Sequence, residues 1–245
     1  MTETSVLASI PVAILAGGLG TRLRPAIGGL QKAVAQVAGR PFLAHLLDQV
    51  TRFGFRDVVL CVGFGADQVE GALGDAFGPL ALRYSRESEP LGTAGALRLA
   101  LPLLAGDAAM VMNGDSFCDA DLAAAWASHR ERKALATLVL VEVADTARYG
   151  RVELGANDAI RRFAEKQPDG GPGWINAGIY LLARSRIEAI PARRPLSLER
   201  DVLPSWVGDR LFGHRSRARF IDIGTPQSYA DASRLLAVAD RGGKP

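Results

Sequence analysis

The residues with the clearest chemical potential form a glycine-rich loop near the N-terminus. Gly17, Gly18 and Gly20 follow a short apolar run within the segment AILAGGLGTRLRP. Glycines at such a place let backbone N–H groups approach phosphate oxygens, because no Cβ stands in the way. The loop lacks the third glycine of a dinucleotide-binding GxGxxG motif, and no Gly-Lys-Ser/Thr follows as a P-loop requires. The spacing therefore indicates a phosphate-binding loop of another class.

Cationic side chains follow these glycines. Arg22 and Arg24 lie just past the loop, and Lys32 lies ten residues after Arg22. A glycine-rich turn alone occurs after the first strand of many folds, but three cations beside it suit a triphosphate. We also expect Thr21 to cap a short helix whose positive end faces the phosphates. Together these residues favour binding of a nucleoside triphosphate.

Two aspartates stand where apolar strand patterns end. Asp115 closes the segment AAMVMNGD, and Asp222 lies in FIDIG. Open α/β sheets bind ligands beyond the carboxyl ends of their strands. Either aspartate taken alone is as easily explained as a cap of a loop or helix. Asp115 thus stands where such a sheet binds its ligand, and Asp222 has a similar setting.

The elements that position these residues alternate between strand and helix in the first half of the chain. A buried strand over residues 11–16 leads into the loop, a helix over residues 42–53 has one apolar face, and DVVLCVGF is a second buried strand. Helical ADQVEGALGDAF and TAGALRLALPLL then alternate with the strands ALRYS and AAMVMNGD. This βαβ alternation predicts an α/β fold with a mostly parallel sheet and helices on both faces.

The pattern changes after Asp115. Helical DLAAAWASHRERK precedes the strands ATLVLVEV, GRVELG, AIRRFAEK and INAGIYLL, with few helices between them, so the second half is predicted to be partly antiparallel. The basic stretch RLFGHRSRAR is expected to be a solvated surface segment. Near the C-terminus, Thr225 has the position of a helix N-cap and Pro226 that of the first helical residue.

Composition limits the classes of function. The 245 residues, 48% of them hydrophobic, are enough to bury one core, so we expect a single domain over residues 1–245. A net charge of +3 with dispersed arginines argues against nucleic acid and for small phosphorylated partners. No signal peptide or spanning apolar run is recognised, and Cys61 and Cys118 lie in apolar segments. These features predict a cytoplasmic protein with no membrane partner and with buried, reduced thiols.

Several segments, taken in order, resemble the sugar-1-phosphate nucleotidyltransferase family. They run from about residue 12 to residue 229 and are AILAGGLGTRLRP, the Lys32 segment, PLGTAGAL, NGDS, AEK, INAGIYLL and FIDIGTP. The resemblance implies a Rossmann-like, GT-A-like fold with a smaller antiparallel sugar-binding part. It places a nucleotide-binding half at about 11–116 and a sugar-binding half at about 117–240. It implies a reaction in which a sugar 1-phosphate attacks the α-phosphorus of an NTP and pyrophosphate leaves.

The resemblance also assigns roles to individual residues. Arg22 matches the arginine that holds the departing pyrophosphate, and Lys32 matches the lysine on the α-phosphate. Asp115 and Asp222 match the aspartate pair that holds Mg²⁺, a cation that prefers carboxylates and phosphate oxygens. Nucleotide contacts are implied for Leu15, Ala16, Gly17, Gly18, Glu87, Gly92 and Thr93. Sugar contacts are implied for Gly150, Glu165, Lys166, Asn176 and Gly178.

Glu87 bears on which base is bound. Guanine presents an N1–H and an exocyclic amine as adjacent donors, and one carboxylate accepts both, whereas uracil and thymine present a single ring N–H. Glu87 therefore favours GTP, with UTP, CTP or dTTP as the alternative nucleotides. Within the family, segments such as NGDSFCDADL, ARYGRVEL and SLERDVLP most resemble D-glycero-D-manno-heptose 1-phosphate guanylyltransferases, and mannose-1-phosphate guanylyltransferases come next. Small members often self-associate, which suggests a homodimer.

One segment departs from the family pattern. Where the family usually has PKPM around its lysine, this chain has Gln31-Lys32-Ala33-Val34. The loss of two prolines removes two fixed φ angles and predicts a more mobile segment around Lys32. This departure keeps open a second hypothesis, a sensor that binds NDP-sugars without making them. A dinucleotide-dependent Rossmann enzyme is a third, weakened by the missing glycine and ribose-binding acid.

Overall fold

The computed structural model describes residues 6–164 and 170–242. The first half contains, in chain order, β1 (Val12–Leu15), β2 (Gln36–Val37), β3 (Arg40–Pro41), α1 (Phe42–Arg52), β4 (Asp57–Val62), α2 (Ala66–Leu73), β5 (Ala76–Phe77), β6 (Leu80–Arg86), α3 (Gly92–Ala100) and β7 (Ala108–Asn113). Short 3₁₀ helices lie in between, at Arg24–Ile27, Lys32–Val34 and Leu101–Leu103.

The second half follows in the same way. Its elements are β8 (Ser116–Cys118), α4 (Leu122–Glu131), β9 (Ala136–Val143), β10 (Arg151–Leu154), β11 (Ile160–Ala164), β12 (Gly173–Ala183), α5 (Arg184–Glu188), β13 (Leu211–Ser216), β14 (Phe220–Asp222) and α6 (Pro226–Gly242). The 3₁₀ helices at Ala156–Asp158 and Leu203–Trp206 and a π-helical turn at Leu198–Val202 join them.

A ten-stranded mixed sheet forms the centre of the molecule. Strands β7, β1, β4 and β6 are parallel neighbours in that order, and β12 extends the sheet antiparallel to β7. Strands β9 and β10 pair with β12, also antiparallel. The predicted α/β class, parallel first and partly antiparallel afterwards, is confirmed.

Both faces of the parallel part are buried, as its unbroken apolar runs predict. Within β1, Val12 and Ile14 belong to one hydrophobic cluster, and Ala13 belongs to the cluster on the opposite face. The apolar stripe of α1 is fully buried in the first of these clusters. Cys61 and Cys118 are free and buried, which agrees with their expected role in packing.

Three local predictions need correction. The segment ADQVEGALGDAF is not helical throughout: α2 ends at Leu73, Gly74 has a φ of 66°, and β5 pairs with β6. Within RLFGHRSRAR, residues 211–216 form β13, which pairs with β9 at the edge of the sheet. Thr21 caps no helix, because the nearest one begins at Arg24 after Leu23 and has no side-chain cap.

The C-terminal helix begins where the sequence indicates. The Ser228 N–H donates to the Thr225 hydroxyl at 3.2 Å, and the helix starts at Pro226. The Tyr229 hydroxyl donates to the Gln36 carbonyl at 2.6 Å and ties α6 to the β2–β3 hairpin. None of the helices within the described residues has both the length and the apolar character needed to cross a bilayer.

Candidate active site

An open cleft of about 340 Å³ lies beyond the carboxyl ends of β1 and β7. This is the edge at which parallel α/β sheets place ligands. Its walls come from the glycine loop, the Lys32 turn, the 87–93 stretch, the loop after β7, and Glu199. The cleft brings together nine of the residues selected from sequence: Leu15, Ala16, Gly17, Gly18, Lys32, Glu87, Gly92, Thr93 and Asp115.

Glu87 closes over the glycine loop. A Cβ at Gly17 would lie 2.8 Å from Glu87 Oε1, and one at Gly63 would lie 2.5 Å from the same oxygen. The other oxygen accepts a hydrogen bond from the Leu91 N–H at 3.0 Å. Burial raises the pKa of Glu87, and the Leu91 hydrogen bond partly opposes that rise. A side chain at either position would displace the Glu87 carboxylate, so the two glycines allow Glu87 to lie against the loop.

Lys32 and Asp115 meet on the cleft floor as an ion pair between Nζ and Oδ2. The Lys32 side chain is 14% exposed, whereas that of Asp115 is 44% exposed and faces the cleft. The Asp115 carbonyl accepts a hydrogen bond from the Ile223 N–H at 3.0 Å. Since Asp222 also pairs with Ser116 in the β8–β14 ribbon, the two predicted metal-holding aspartates lie on adjacent chain segments.

Asp222 sits in what we call the Asp222 cluster, formed with Arg148, Tyr149 and Ser228. Its carboxylate accepts hydrogen bonds from Arg148 at 3.1 Å, from Ser228 at 3.1 Å, from the Gly224 N–H at 2.9 Å and from the Tyr149 hydroxyl. Burial raises the pKa of Asp222, but the hydrogen bonds and the Arg148 charge outweigh it, and the net pKa is lowered. The group is therefore held as a carboxylate.

The two arginines of the loop are not placed together. Arg22 lies beside the Asp222 cluster, with Nη2 3.8 Å from the point where a Cβ on Gly224 would stand. Arg24 instead packs its guanidinium over the Phe64 ring, 4.4 Å from the ring centre. Only Lys32 of the three predicted cations lines the cleft itself.

A second polar group, the Glu199 cluster, was predicted only in part, because sequence reasoning named Thr93 and Asn176 but not Tyr180, Ser197 or Glu199. It consists of Thr93, Asn176, Tyr180, Ser197 and Glu199. The Tyr180 hydroxyl donates to Glu199 Oε1 at 2.8 Å, and the hydroxyls of Thr93 and Ser197 each donate to Oε2 at 3.0 Å. The only signal was membership of Glu199 in SLERDVLP, because a glutamate in a charged loop has no distinguishing pattern of its own.

The predicted sugar-contact residues fall in three places. Asn176 donates to the Tyr180 hydroxyl at 2.8 Å, and its own oxygen accepts from the Gly178 N–H at 2.9 Å. Gly178 has a φ of 76°, and a Cβ there would lie 2.6 Å from Ser116 Oγ. Gly150 lies near the Ala164 carbonyl, at the strand end that leads to residues 165–169. Glu165 and Lys166 lie outside the described residues.

The donor set for a metal is small. Among residues 6–164 and 170–242, no three His, Cys, Asp or Glu side chains form a metal-binding group. Asp115 and Asp222 offer two carboxylates, so a cation bound here would take its remaining ligands from water and phosphate. Mg²⁺ binds in this manner.

Comparisons with known proteins show which family and which relatives this chain is similar to. A family model described as nucleotidyl transferase matches residues 12–238. The mannose-1-phosphate guanylyltransferase of Mycobacterium tuberculosis is 37% identical over 93% of this chain and 64% of its own length. The D-glycero-alpha-D-manno-heptose 1-phosphate guanylyltransferase of Aneurinibacillus thermoaerophilus is 32% identical over 91% of this chain and 96% of its own. The crystal structure of HddC from Yersinia pseudotuberculosis complexed with GMP-PN has a TM-score of 0.82 at 31% identity, covering 93% of this chain and 99% of that one.

Proposed function

Because this chain belongs to the nucleotidyl transferase family, we propose that it makes a GDP-sugar and pyrophosphate from GTP and a manno-configured sugar 1-phosphate. The observation that carries the proposal is the Lys32–Asp115 pair on the floor of a glycine-lined cleft, with Asp222 on the adjacent segment. A cation that neutralises phosphate and two carboxylates able to hold another cation are what phosphoryl-group chemistry requires.

The proposed reaction is an in-line displacement. A phosphate oxygen of the sugar 1-phosphate forms a bond to the α-phosphorus of GTP, and the bond from that phosphorus to the oxygen bridging to the β-phosphate breaks. The electron pair leaves with pyrophosphate. The glycine loop would hold the triphosphate, Lys32 would neutralise charge on the α-phosphate, and Arg22, beside the Asp222 cluster, would hold the departing pyrophosphate.

Asp115 and Asp222 are the residues we propose for Mg²⁺. When bound, Mg²⁺ supplies charge neutralisation on phosphate oxygens. In the structure Asp115 is paired with Lys32 and Asp222 with Arg148, so each carboxylate already faces a cation. The chain's own contribution is to place these two carboxylates on adjacent, hydrogen-bonded segments.

Glu87 is the residue we propose to read guanine. It lies at the cleft with one oxygen turned toward the glycine loop, and the Leu91 N–H fixes the orientation of its carboxylate. The relatives named as guanylyltransferases support GTP as the nucleotide. A Glu87→Gln variant should lose preference for GTP by about tenfold, the scale of one charge-assisted hydrogen bond. Glu89→Gln, exposed in the same loop, is the matched control.

Two sugar 1-phosphates are candidates for the second substrate. Heptose 1-phosphate is favoured because NGDSFCDADL, ARYGRVEL and SLERDVLP most resemble the heptose enzymes, and one such relative is 32% identical over 91% of this chain. Mannose 1-phosphate is the second candidate, since the mannose relative has the higher identity, although the chain spans only 64% of that protein. Asn176, Gly178 and Gly150, together with Glu165 and Lys166, remain the proposed sugar contacts.

A pyrophosphate-release assay tests the proposal. Four NTPs are each combined with mannose 1-phosphate and heptose 1-phosphate in the presence of Mg²⁺, with Lys32→Ala as the reference. We expect release with GTP and a manno-configured sugar, greatly reduced in the variant. Tight binding of GDP-sugars by calorimetry without release from any pair would instead establish a sensor. A homodimer and a cytoplasmic location stay predictions, which light scattering and cell fractionation would test.

A further inference from the structure

Gln31 is a buried polar residue to which the proposed reaction assigns no role. It immediately precedes Lys32 and is 2% exposed. Its side-chain Nε2 donates to the Ala16 carbonyl, and its Oε1 accepts the Ala33 N–H. Its own N–H donates to Gln68 Oε1 at 2.7 Å. The buried side-chain amide is a structural clamp, because the Ala16 carbonyl and the Ala33 N–H would lose their hydrogen bonds without it.

The two ends of this clamp explain what it holds. Ala16 begins the glycine loop, and its N–H is bonded to the Cys61 carbonyl at 2.8 Å, so it is fixed to the central sheet. Ala33 belongs to the 3₁₀ turn Lys32–Val34, for which Gln31 is the N-cap. The Gln31 side chain thus fastens the turn that carries Lys32 to the rigid end of β1.

Close packing leaves this turn little freedom. A Cβ at Gly65 would lie 2.8 Å from the Gln31 Cβ, and a Cβ at Gly20 would lie 3.2 Å from the Lys32 Cβ. Both glycines have positive φ, at 68° and 59°. The Lys32 stem is therefore enclosed by the glycine loop on one side and anchored by Gln31 on the other.

We propose that Gln31 is a positioning residue that aims the Lys32 ammonium at Asp115 and at the phosphate entering the cleft. A hydrogen-bonded amide here takes over the conformational restraint that proline would supply through a fixed φ. The greater mobility predicted for this segment from its lack of proline is opposed by these contacts. The effect on turnover rests on the proposed function, but the effect on Lys32 itself does not.

The primary test measures Lys32 without any substrate. Gln31→Met keeps the length of the side chain and removes its hydrogen bonds. Acylation of lysine amines is followed by peptide mass spectrometry in the unliganded full chain, with the exposed Lys133 as internal reference. We expect the Lys32-to-Lys133 rate ratio to rise several-fold. Gln49→Met is the matched control, because Gln49 is also 2% exposed and its amide donates to the Cys118 carbonyl at 2.7 Å and not to the Lys32 turn.

A second variant guards against loss of folding. Gln31→Glu retains an acceptor for the Ala33 N–H but turns an anionic oxygen toward the Ala16 carbonyl, so it should also release Lys32. An unchanged Lys32 rate in whichever Gln31 variant is folded, or an equal rise in Gln49→Met, overturns the proposal. Folding of both Gln31 variants is checked by thermal unfolding.

Turnover supplies an independent readout if the wild type releases pyrophosphate. Gln31→Met should lower kcat by about tenfold, as expected from a misplaced cation, and change the KM for GTP little. The same substitution made in Lys32→Ala should have no further effect on kcat, because Gln31 acts through Lys32. An additive loss in that double variant contradicts the role. If the wild type shows no turnover, the proposed function fails while the acylation result still decides Gln31.

Discussion

Two carboxylates beside the cleft are held in opposite ways. Asp222 accepts hydrogen bonds from a hydroxyl pair, a backbone N–H and the cation Arg148. Glu199 accepts hydrogen bonds from the hydroxyls of Tyr180, Thr93 and Ser197. Within the described part of the chain, Asp222 forms an ion pair and Glu199 forms none. Asp222 is thus a carboxylate that already faces a cation, and Glu199 is a carboxylate held by neutral donors.

The difference indicates separate tasks. A carboxylate paired with an exchangeable cation suits a metal position, since one positive partner is replaced by another. A carboxylate surrounded by hydroxyls suits recognition of a further hydroxyl group, because its remaining lone pairs favour neutral donors. We therefore expect the Asp222 cluster to govern rate and the Glu199 cluster to govern binding of the sugar.

The largest effect is expected from Asp222→Asn. It removes the charge on which the proposed Mg²⁺ position depends, and turnover should fall by about a hundredfold or more. Pyrophosphate release is measured across a range of Mg²⁺ concentrations. Asp231→Asn, which alters an aspartate paired with Arg234 on α6, is the control. Turnover near that of the wild type would remove Asp222 from the metal site.

Glu199→Gln tests whether the Glu199 cluster governs binding of the sugar. Loss of its charge is expected to lower kcat/KM for the sugar 1-phosphate by about ten- to a hundredfold, the scale of hydrogen bonds to a charged group. The KM for GTP should stay close to its wild-type value. Glu153→Gln, an exposed glutamate paired with Arg162, is the control. An equal loss of kcat/KM for GTP and for the sugar 1-phosphate would contradict separate roles for the two clusters.

Tyr180→Phe probes what the hydroxyl contributes to the Glu199 cluster. Tyr180 is fully buried, and its oxygen accepts from Asn176 at 2.8 Å and from Asn113 at 3.4 Å. Without that oxygen the amides lose a partner, so the free energy of unfolding should fall by about 1–3 kcal/mol in urea titrations. Tyr149→Phe in the partly exposed Asp222 cluster should cost less. The reverse order would show that burial does not set the difference.

The smallest effect is a dependence on pH. The pKa of Asp222 is lowered in the folded protein, so its contribution to stability is present above the ordinary pKa of about 3.9 and is lost as pH falls through the folded value. Tyr149→Phe removes one hydrogen bond that lowers this pKa. The stability gap between wild type and variant should therefore be present at neutral pH and narrow below about pH 4. A gap that is constant down to pH 2 would exclude the linkage.

Much of the fold was predictable because it follows from local rules. The apolar stripe of α1, the unbroken runs of β1, β4 and β7, and the cap at Thr225 are all expressed within a few consecutive residues. The wrong predictions arose where one local feature competed with another. The left-handed Gly74 ends a helix that its pattern would continue, and β13 becomes a strand only because β9 offers it an edge.

The candidate site likewise has one part that is predictable from the sequence and another part that only the fold assembles. The glycine loop, Lys32 and the two strand-end aspartates are visible in the chain itself, since backbone sterics and burial act between neighbours. The Glu199 cluster joins Thr93 to a residue 106 positions away, and Gln31 reaches back 15 positions to Ala16. Such contacts depend on strand order and on how loops pack around the cleft, so only the folded molecule brings these side chains together. Arg24 packs on Phe64 and not in the cleft, which shows that residues close in sequence need not share a site.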